Sequence, residues 1–445
     1  MPLPHKMNNM SKSSKKIGIA GAGILGMTMA YRLAQKGYDV TLLDGAPKTG
    51  GLAMAWQLDD IVWDKFYHVI LMSDGYTRQI LKELELDESI NWVETKTGFY
   101  SDGKLYSMSN TVEFLKFPPL DIISKLRLGF TIFYASRIKN WQKLEKVPVA
   151  DWLTKLSGKR TFEKMWLPLL KSKLGNEYTK TSAAFIWATI QRMYAARRSG
   201  LKKEMFGYVP GGYHTILNSF NKKLQSAGVT VLTNHKVEKI RKSKNGKFSI
   251  EFTHQSDKTF DKVIVTTPSS FIPGMCPQLS NEEKSKLSKT QYLGVVCAAI
   301  LLDKPLSAFY VTNITDDGFP FTGVIEMTAL VDSRETGGKH LIYLPKYVMP
   351  DDEIFSKKDE AIIELFVKNM LKMHPHISDK NILFSGVARA KKVFALSTLN
   401  YSKNVPRTKS SVDGLYIVNS SQITNGTLNV NETIQLAEKA IEQYF

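Results

Sequence analysis

Residues 16–52, KIGIAGAGILGMTMAYRLAQKGYDVTLLDGAPKTGGL, restrict what this chain can fold into more than any other stretch. The short apolar run of Ile17, Ile19 and Ala20 predicts a buried strand. It leads into Gly21-Ala22-Gly23-Ile24-Leu25-Gly26, after which an apolar helix is expected as far as Lys36, with Gly37 placed to end it in a left-handed cap. Residues 40–43 predict a second apolar strand that stops at Asp44, eighteen residues after Gly26. The order is strand, G-x-G-x-x-G, helix, strand, acid, and each part has a task in holding a dinucleotide. Gly21 permits a tight turn, and Gly23 has no Cβ to keep backbone N–H groups from a pyrophosphate. Gly26 lets helix and strand pack closely, while the helix N-terminus offers unpaired N–H donors to the anion. All six residues 21–26 are therefore candidate cofactor contacts, and Asp44 is the candidate acceptor for an adenosine ribose.

After Asp44 and five intervening residues stand Gly50-Gly51. A Gly pair by itself marks a surface turn. Here its position resembles the extended FAD fingerprint of the amine oxidase, protoporphyrinogen oxidase and phytoene desaturase superfamily, in which an acid, a short loop and Gly-Gly lie against pyrophosphate and ribitol. The resemblance implies FAD rather than NAD, bound non-covalently, because no Cys or His occupies a flavin-attachment motif. Many members carry Arg after the pair. This chain has Leu52, so that contact is missing, although Leu52 stays among the cofactor-facing candidates.

The resemblance spans nearly the whole chain and implies an α/β protein. A discontinuous Rossmann-like FAD-binding domain would comprise residues 16–72, 207–275 and 386–445, behind a disordered tail at 1–15. A substrate domain of antiparallel sheet plus a basic helical segment would comprise 73–206 and 276–385. Pattern alone predicts a helix at 73–86, a hairpin at 98–108 around Asp102-Gly103, strands at 229–232, 236–241, 248–252 and 262–267, and a turn at Asn245-Gly246 with positive φ at both residues. Strands at 294–302, 308–312, 322–328 and 340–345 suggest an antiparallel sheet with one covered face, followed by one helix at 352–373. By the resemblance, Val237 meets the adenine through its backbone and Thr267 lies near the cofactor. A strand at 414–418 leads to Asn419, which replaces the family's usual acid. Leu428 and Asn429 then precede a helix from Val430, with Asn429 as N-cap and Glu432 completing a capping box. That helix dipole is expected to point at the flavin's N1/O2 edge.

Asp64-Lys65-Phe66-Tyr67-His68 resembles a D-K-F-Y-H stretch of bacterial FAD-dependent oxidoreductases associated with cell-surface polysaccharide genes, where the chain passes the flavin ring. A histidine in an aromatic strand is ordinarily core filling. Beside the ring, His68 would be an acid or base near neutral pH. The same resemblance turns Glu326, Tyr343, Lys346 and Tyr347 towards the pocket, although Glu326-Met327-Thr328-Ala329 departs from the subgroup's pattern, where His and Asn are expected at the second and fourth places. The candidate catalytic set is His68, Tyr67, Lys346, Glu326 and Arg389. No metal is expected, since His374-Pro375-His376 lacks further ligands and the two cysteines, Cys276 and Cys297, sit in apolar surroundings.

Charge narrows the partners. The formal net charge is +18, and residues 120–205 alone hold 18 Lys and Arg against 6 Asp and Glu. Such an excess attracts anions. Without a nucleic-acid motif it points to a phosphorylated or lipid-linked small substrate, through Arg137, Arg192, Arg197 and Arg198, or to peripheral contact with a membrane. Ile122, Leu126, Phe130 and Phe133 keep helical spacing among basic residues, which suits either a membrane surface or packing on the next helix. The N-terminus has no signal-peptide core and the longest apolar run, 292–302, is too short to span a bilayer, so a cytoplasmic protein, soluble or peripheral to the inner face of the membrane, is expected.

Three functions are open at this point. One is an FAD-dependent oxidoreductase moving hydride from a C–N or C–C bond to flavin N5, with no second glycine motif for NAD(P)H. Another is a non-redox isomerase resembling UDP-galactopyranose mutase. The last is a flavin-bound partner protein without turnover.

Overall fold

The computed structural model describes residues 15–197, 205–424 and 427–445, with the side chains of 195–197 left aside. Five strands form a parallel sheet in the order Thr230–Leu232, Asp39–Leu43, Lys16–Ala20, Lys262–Val265 and Leu415–Ile417. Its strands come from three well-separated parts of the chain. Helices cover the sheet, so its central strands are apolar on both faces. Ile17, Ile19, Val40, Leu42 and Ile264 are buried against the helices Ile24–Gln35, Gly212–Ser226 and Val430–Tyr444. Gly37 adopts φ +86° just beyond the first helix, as its position predicts.

A seven-stranded sheet forms the second layer. Its order is Ile382–Ala395, Tyr292–Leu302, His340–Val348, Gly323–Glu326, Val311–Ile314, Thr97–Ser101 and Lys104–Ser107. All pairings are antiparallel except Val311–Ile314 with Thr97–Ser101. Both faces are covered, not one, because Tyr292–Leu302 is buried along its entire length. Val296, Ala298 and Ile300 point to the helix Asp359–Met373, and Val295, Cys297 and Ala299 point to Trp63, Tyr67 and Tyr343. The expected single helix at 352–373 is a short 3-10 turn, Glu353–Ser356, and then the helix from Asp359. At 243–247 a five-residue connection between the strands Val237–Lys242 and Phe248–Phe252 replaces the expected two-residue turn. There Gly246 alone has positive φ, while Asn245 Oδ1 accepts from Lys247 N.

Helices from 111–197 build a third cluster around Leu128, Leu153, Trp166 and Trp187. Within it the helix Ile122–Arg137 sits the other way round from a packed amphipathic helix. Its small and polar residues face inward: Ser124, Thr131 and Ala135 are buried with Leu128, and Thr131 Oγ1 lies 2.8 Å from Ser157 Oγ. Small side chains let the helix Val149–Ser157 approach closely, so the apolar stripe is left outside. Among the described residues no helix is long and apolar enough to cross a membrane.

Candidate functional site

The two glycine motifs pack on each other. Gly50 N donates to Ala22 O at 2.7 Å, and a Cβ on Gly51 would stand 3.1 Å from Gly23 Cα. Gly50 (φ +114°) also has Leu217 against it, at 2.5 Å from a Cβ. The pair is thus the second wall of a crevice and not a plain surface turn. Gly26 carries the closest constraint, since a Cβ there would lie 1.9 Å from Gly21 O. Gly23 differs: its φ is −71° and a Cβ would meet nothing nearer than 3.9 Å, so the space beside it is open. As N-cap it has no side chain to bond the first-turn N–H groups of Ile24 and Leu25, and no acid sits in that turn.

Asp44 fixes this loop as well as facing the crevice. Its carboxylate accepts from Ala22 N at 2.7 Å and from Ala46 N at 2.8 Å. Thr266, which the sequence did not single out, donates to Gly21 O at 2.9 Å. Around these residues lies a cavity of about 580 Å³, lined by Gly21, Asp44, Val237, Thr267, Phe271 and Met275. That is nucleotide-sized.

At the same end of the sheet, past the edge strand Leu415–Ile417, buried Asn419 accepts from Ser421 N and from the Ser421 and Ser269 hydroxyls, while its Nδ2 has no partner among the described residues. An open helix end, a cradle without Cβ atoms and an orphaned buried amide are what a dinucleotide cofactor would satisfy. Leu52 and Leu428 are half-buried, Leu52 in the 3-10 turn Gly51–Ala53. Asn429 caps the last helix by accepting from Glu432 N at 3.0 Å. The reciprocal arm of the expected capping box is absent. Half-buried Glu432 feels Arg192 and Asp74, and its pKa is raised, chiefly by desolvation.

The strands Ala55–Leu58 and Ile61–Asp64 make a hairpin whose end, residues 64–68, lies between the two main sheets. Asp64 is 1% exposed; its Oδ1 accepts from Tyr213 N at 2.9 Å and its carbonyl accepts from the Tyr343 hydroxyl. Burial pushes its carboxyl pKa up, with His68 opposing. His68 Nδ1 lies 3.7 Å from Asp64 Oδ2, too far for a hydrogen bond, and the ring packs 4.9 Å from that of Tyr213. Beside them is a cavity of about 10 Å³, room for roughly one water. Tyr67 turns the opposite way, to the large sheet, where its hydroxyl lies 2.9 Å from that of Tyr347. Burial first, then Tyr347, holds the Tyr67 hydroxyl well above the ordinary range. Lys173 Nζ sits 3.2 Å from the Tyr347 ring centre, a contact no sequence pattern announced.

Three expected catalytic residues, Glu326, Lys346 and Arg389, lie on the face of that sheet away from Tyr67. Val296 pairs with both Lys346 and Arg389, and Ile342 pairs with Glu326, so all three share the face of Val296 and Ile342 under the helix Asp359–Met373. Tyr343 and Tyr347 pair with Ala299 and Val295 on the face that meets Trp63 and Tyr67. Side chains alternate along a strand, so one residue of offset decides which side a group serves. The Glu326 carboxylate accepts from Leu306 N, Ser307 N and Ser307 Oγ, and burial raises its pKa to about 7. Arg389 pairs with Asp359 at 2.5 Å and donates to Lys357 O. Lys346 lies near Glu353, whose pKa is lowered mainly by Lys357 and also by Lys346.

The basic segment is partly committed. Arg192 donates to Asp74 at 3.0 Å, and Arg137 lies over the Phe133 ring at 4.9 Å. The Arg197 side chain and Arg198 lie outside the described residues. His374 and His376 are edge-to-face at 6.0 Å, burial lowers the His374 pKa to about 4, and the described residues hold no cluster of metal-binding side chains.

Known proteins agree with this layout. The chain is 21% identical over 388 residues to the 15-cis-phytoene desaturase of Capsicum annuum, covering 81% of this chain and 65% of that enzyme's length. Its fold matches an oxidoreductase from Methanosarcina mazei with a TM-score of 0.74 at 19% identity, over 96% of this chain and 100% of the other. A reduced UDP-galactopyranose mutase aligns with a TM-score of 0.74 at 16% identity, over 96% and 95% of the two chains. These likenesses establish the fold. The family description "flavin containing amine oxidoreductase" matches residues 26–402, from the last glycine of the first loop through the whole seven-stranded sheet, and the chain belongs to that family.

Proposed function

We propose that the chain binds FAD non-covalently and oxidises a C–N or C–C bond of a small or amphipathic, anionic substrate. The observation that carries this reading is the Asp64–His68 pair, packed against Tyr213 and tied through the Asp64 carbonyl to Tyr343 on the tyrosine face of the large sheet. Gly23, Gly51 and the open first helical turn would take the pyrophosphate, Asp44, Val237 and Thr267 the adenosine half, and Asn419 the ribityl side. Bound flavin supplies a two-electron acceptor. The chain's own groups do the rest: Tyr67, Tyr343 and Tyr347 exclude water, and with Nδ1 turned to Asp64 the His68 Nε2 is left to exchange a proton. The Asp64 carboxylate stabilises the imidazolium that results.

Reduction of the flavin by candidate amines and polyenes under anaerobic conditions tests the reading. Bleaching of the flavin spectrum by such a substrate, reduced roughly 10²-fold in rate by His68→Gln, is the expected result. The second reading, non-redox sugar-nucleotide isomerisation, is favoured by the basic helical segment, which suits a diphosphate. It would appear as turnover of UDP-galactopyranose by pre-reduced enzyme only. Flavin content with neither activity would mark a binding protein.

A further inference from the structure

Among the described residues, most of the exposed large apolar side chains sit on the outward face of the helix Ile122–Arg137 and on the short helix before it. Ile122, Ile123, Leu126, Phe130, Phe133 and Tyr134 are 44–67% exposed. At 100° per residue they fall within an arc of about 120°, and Arg127 and Arg137 are the charged members of that side. The preceding helix, Thr111–Lys116, adds Val112 and Leu115, 59% and 47% exposed. Buried Lys125 locks the two helices together by donating to Leu115 O at 2.7 Å. Phe130 and Tyr134 stack at 5.9 Å. Isolated exposed apolar residues need no explanation, whereas eight on two joined helices mark a contact surface.

Charge selects the occupant. Lys116, Arg127, Arg137, Lys139, Lys143 and Lys146 are exposed on and around this face. The three acids of residues 111–146 are all engaged by the protein: Glu113 accepts from Ser107 and Ser109, Asp121 caps its helix and meets Arg160, and Glu145 accepts from Ser402. A second copy applied to the same face would set these cations against one another. A layer of anionic headgroups over acyl chains complements both the cations and the apolar stripe.

We propose that the helices Thr111–Lys116 and Ile122–Arg137 dock this protein on an anionic lipid bilayer, with Phe130 and Phe133 inserted below the headgroups and Arg127 and Arg137 at headgroup level. The proposal does not depend on what the flavin site oxidises. Its test is co-sedimentation of the flavin-loaded full chain with phosphatidylcholine vesicles, with or without phosphatidylglycerol. Binding is expected to require phosphatidylglycerol. Phe130→Ser with Phe133→Ser should weaken it about tenfold or more, and Arg127→Gln with Arg137→Gln should weaken it and flatten its salt dependence. Phe130→Trp provides an independent readout, a blue shift of tryptophan emission on vesicle addition. All substitutions are at exposed positions, so thermal stability and flavin content should hold. Equal vesicle binding by the serine double variant, or no binding by the wild type, overturns the proposal. So does a stable dimer that the serine variant converts to a monomer, because a second copy would then cover the face.

Discussion

His68 Nδ1 stands 3.7 Å from the buried carboxylate of Asp64, four residues earlier in the chain. The hairpin strand that ends at Asp64 fixes the pair, with Tyr213 N holding one carboxylate oxygen and the Tyr343 hydroxyl held by the Asp64 carbonyl. Asp64→Asn keeps an oxygen for Tyr213 N but removes the charge that steadies an imidazolium. We expect Asp64→Asn and His68→Gln each to lower substrate-driven flavin reduction by roughly 10², with flavin content near wild type. Parallel losses of thermal stability and flavin, with normal rates in the remaining holoprotein, would assign the pair to packing.

Gly23 and Gly26 should respond oppositely to alanine. At Gly23 the backbone admits a Cβ and only the ligand's space is lost, so Gly23→Ala should fold with a stability within about 0.5 kcal/mol of wild type, measured on flavin-free protein, yet purify colourless. At Gly26 the Cβ would meet Gly21 O, so Gly26→Ala should destabilise the apoprotein itself by about 1–3 kcal/mol or more. A yellow Gly23→Ala protein would remove the first loop from the cofactor site.

Glu326 should appear in the pH dependence of stability rather than in catalysis. Its folded pKa of about 7 lies above the ordinary 4.5, so between those values the folded state keeps a proton that the unfolded chain has released. That contribution is complete below about pH 4.5 and disappears as pH rises through about 7, a span on the order of 3 kcal/mol. Denaturant unfolding of wild type and Glu326→Gln across this range should show the wild-type advantage shrinking with rising pH. A constant difference would place the proton elsewhere.

Strand parity gives a paired test. Tyr347→Phe, on the tyrosine face, should change kcat/KM by removing the hydroxyl that meets Tyr67. Arg389→Gln, on the opposite face, should cost about 1 kcal/mol of stability through Asp359 and leave turnover unchanged. Steady-state kinetics beside thermal melts of the two variants decide it, and a large kcat effect in Arg389→Gln would reverse the assignment of faces.

The local rules of the chain settled the nucleotide half. Strand, glycine turn, helix and acid in residues 16–44 each depend on neighbours within a few positions, and the conformations of Gly21, Gly26 and Gly37 follow from which residues tolerate positive φ or close backbone approach. The D-K-F-Y-H stretch already contained Asp64 and His68 together. Other features depended on groups far apart in sequence. Glu326 and Lys346 lie on strands so apolar that alternation does not reveal which face is which, and only the pairing with Val296 and Ile342 fixes their side and that of Arg389. The helix Ile122–Arg137 has apolar residues around much of its circumference, and the fit of Ser124, Thr131 and Ala135 against Val149–Ser157 chose its inner face. Periodicity determined that this segment is a helix; close packing, available only in the folded chain, determined which side of it meets solvent.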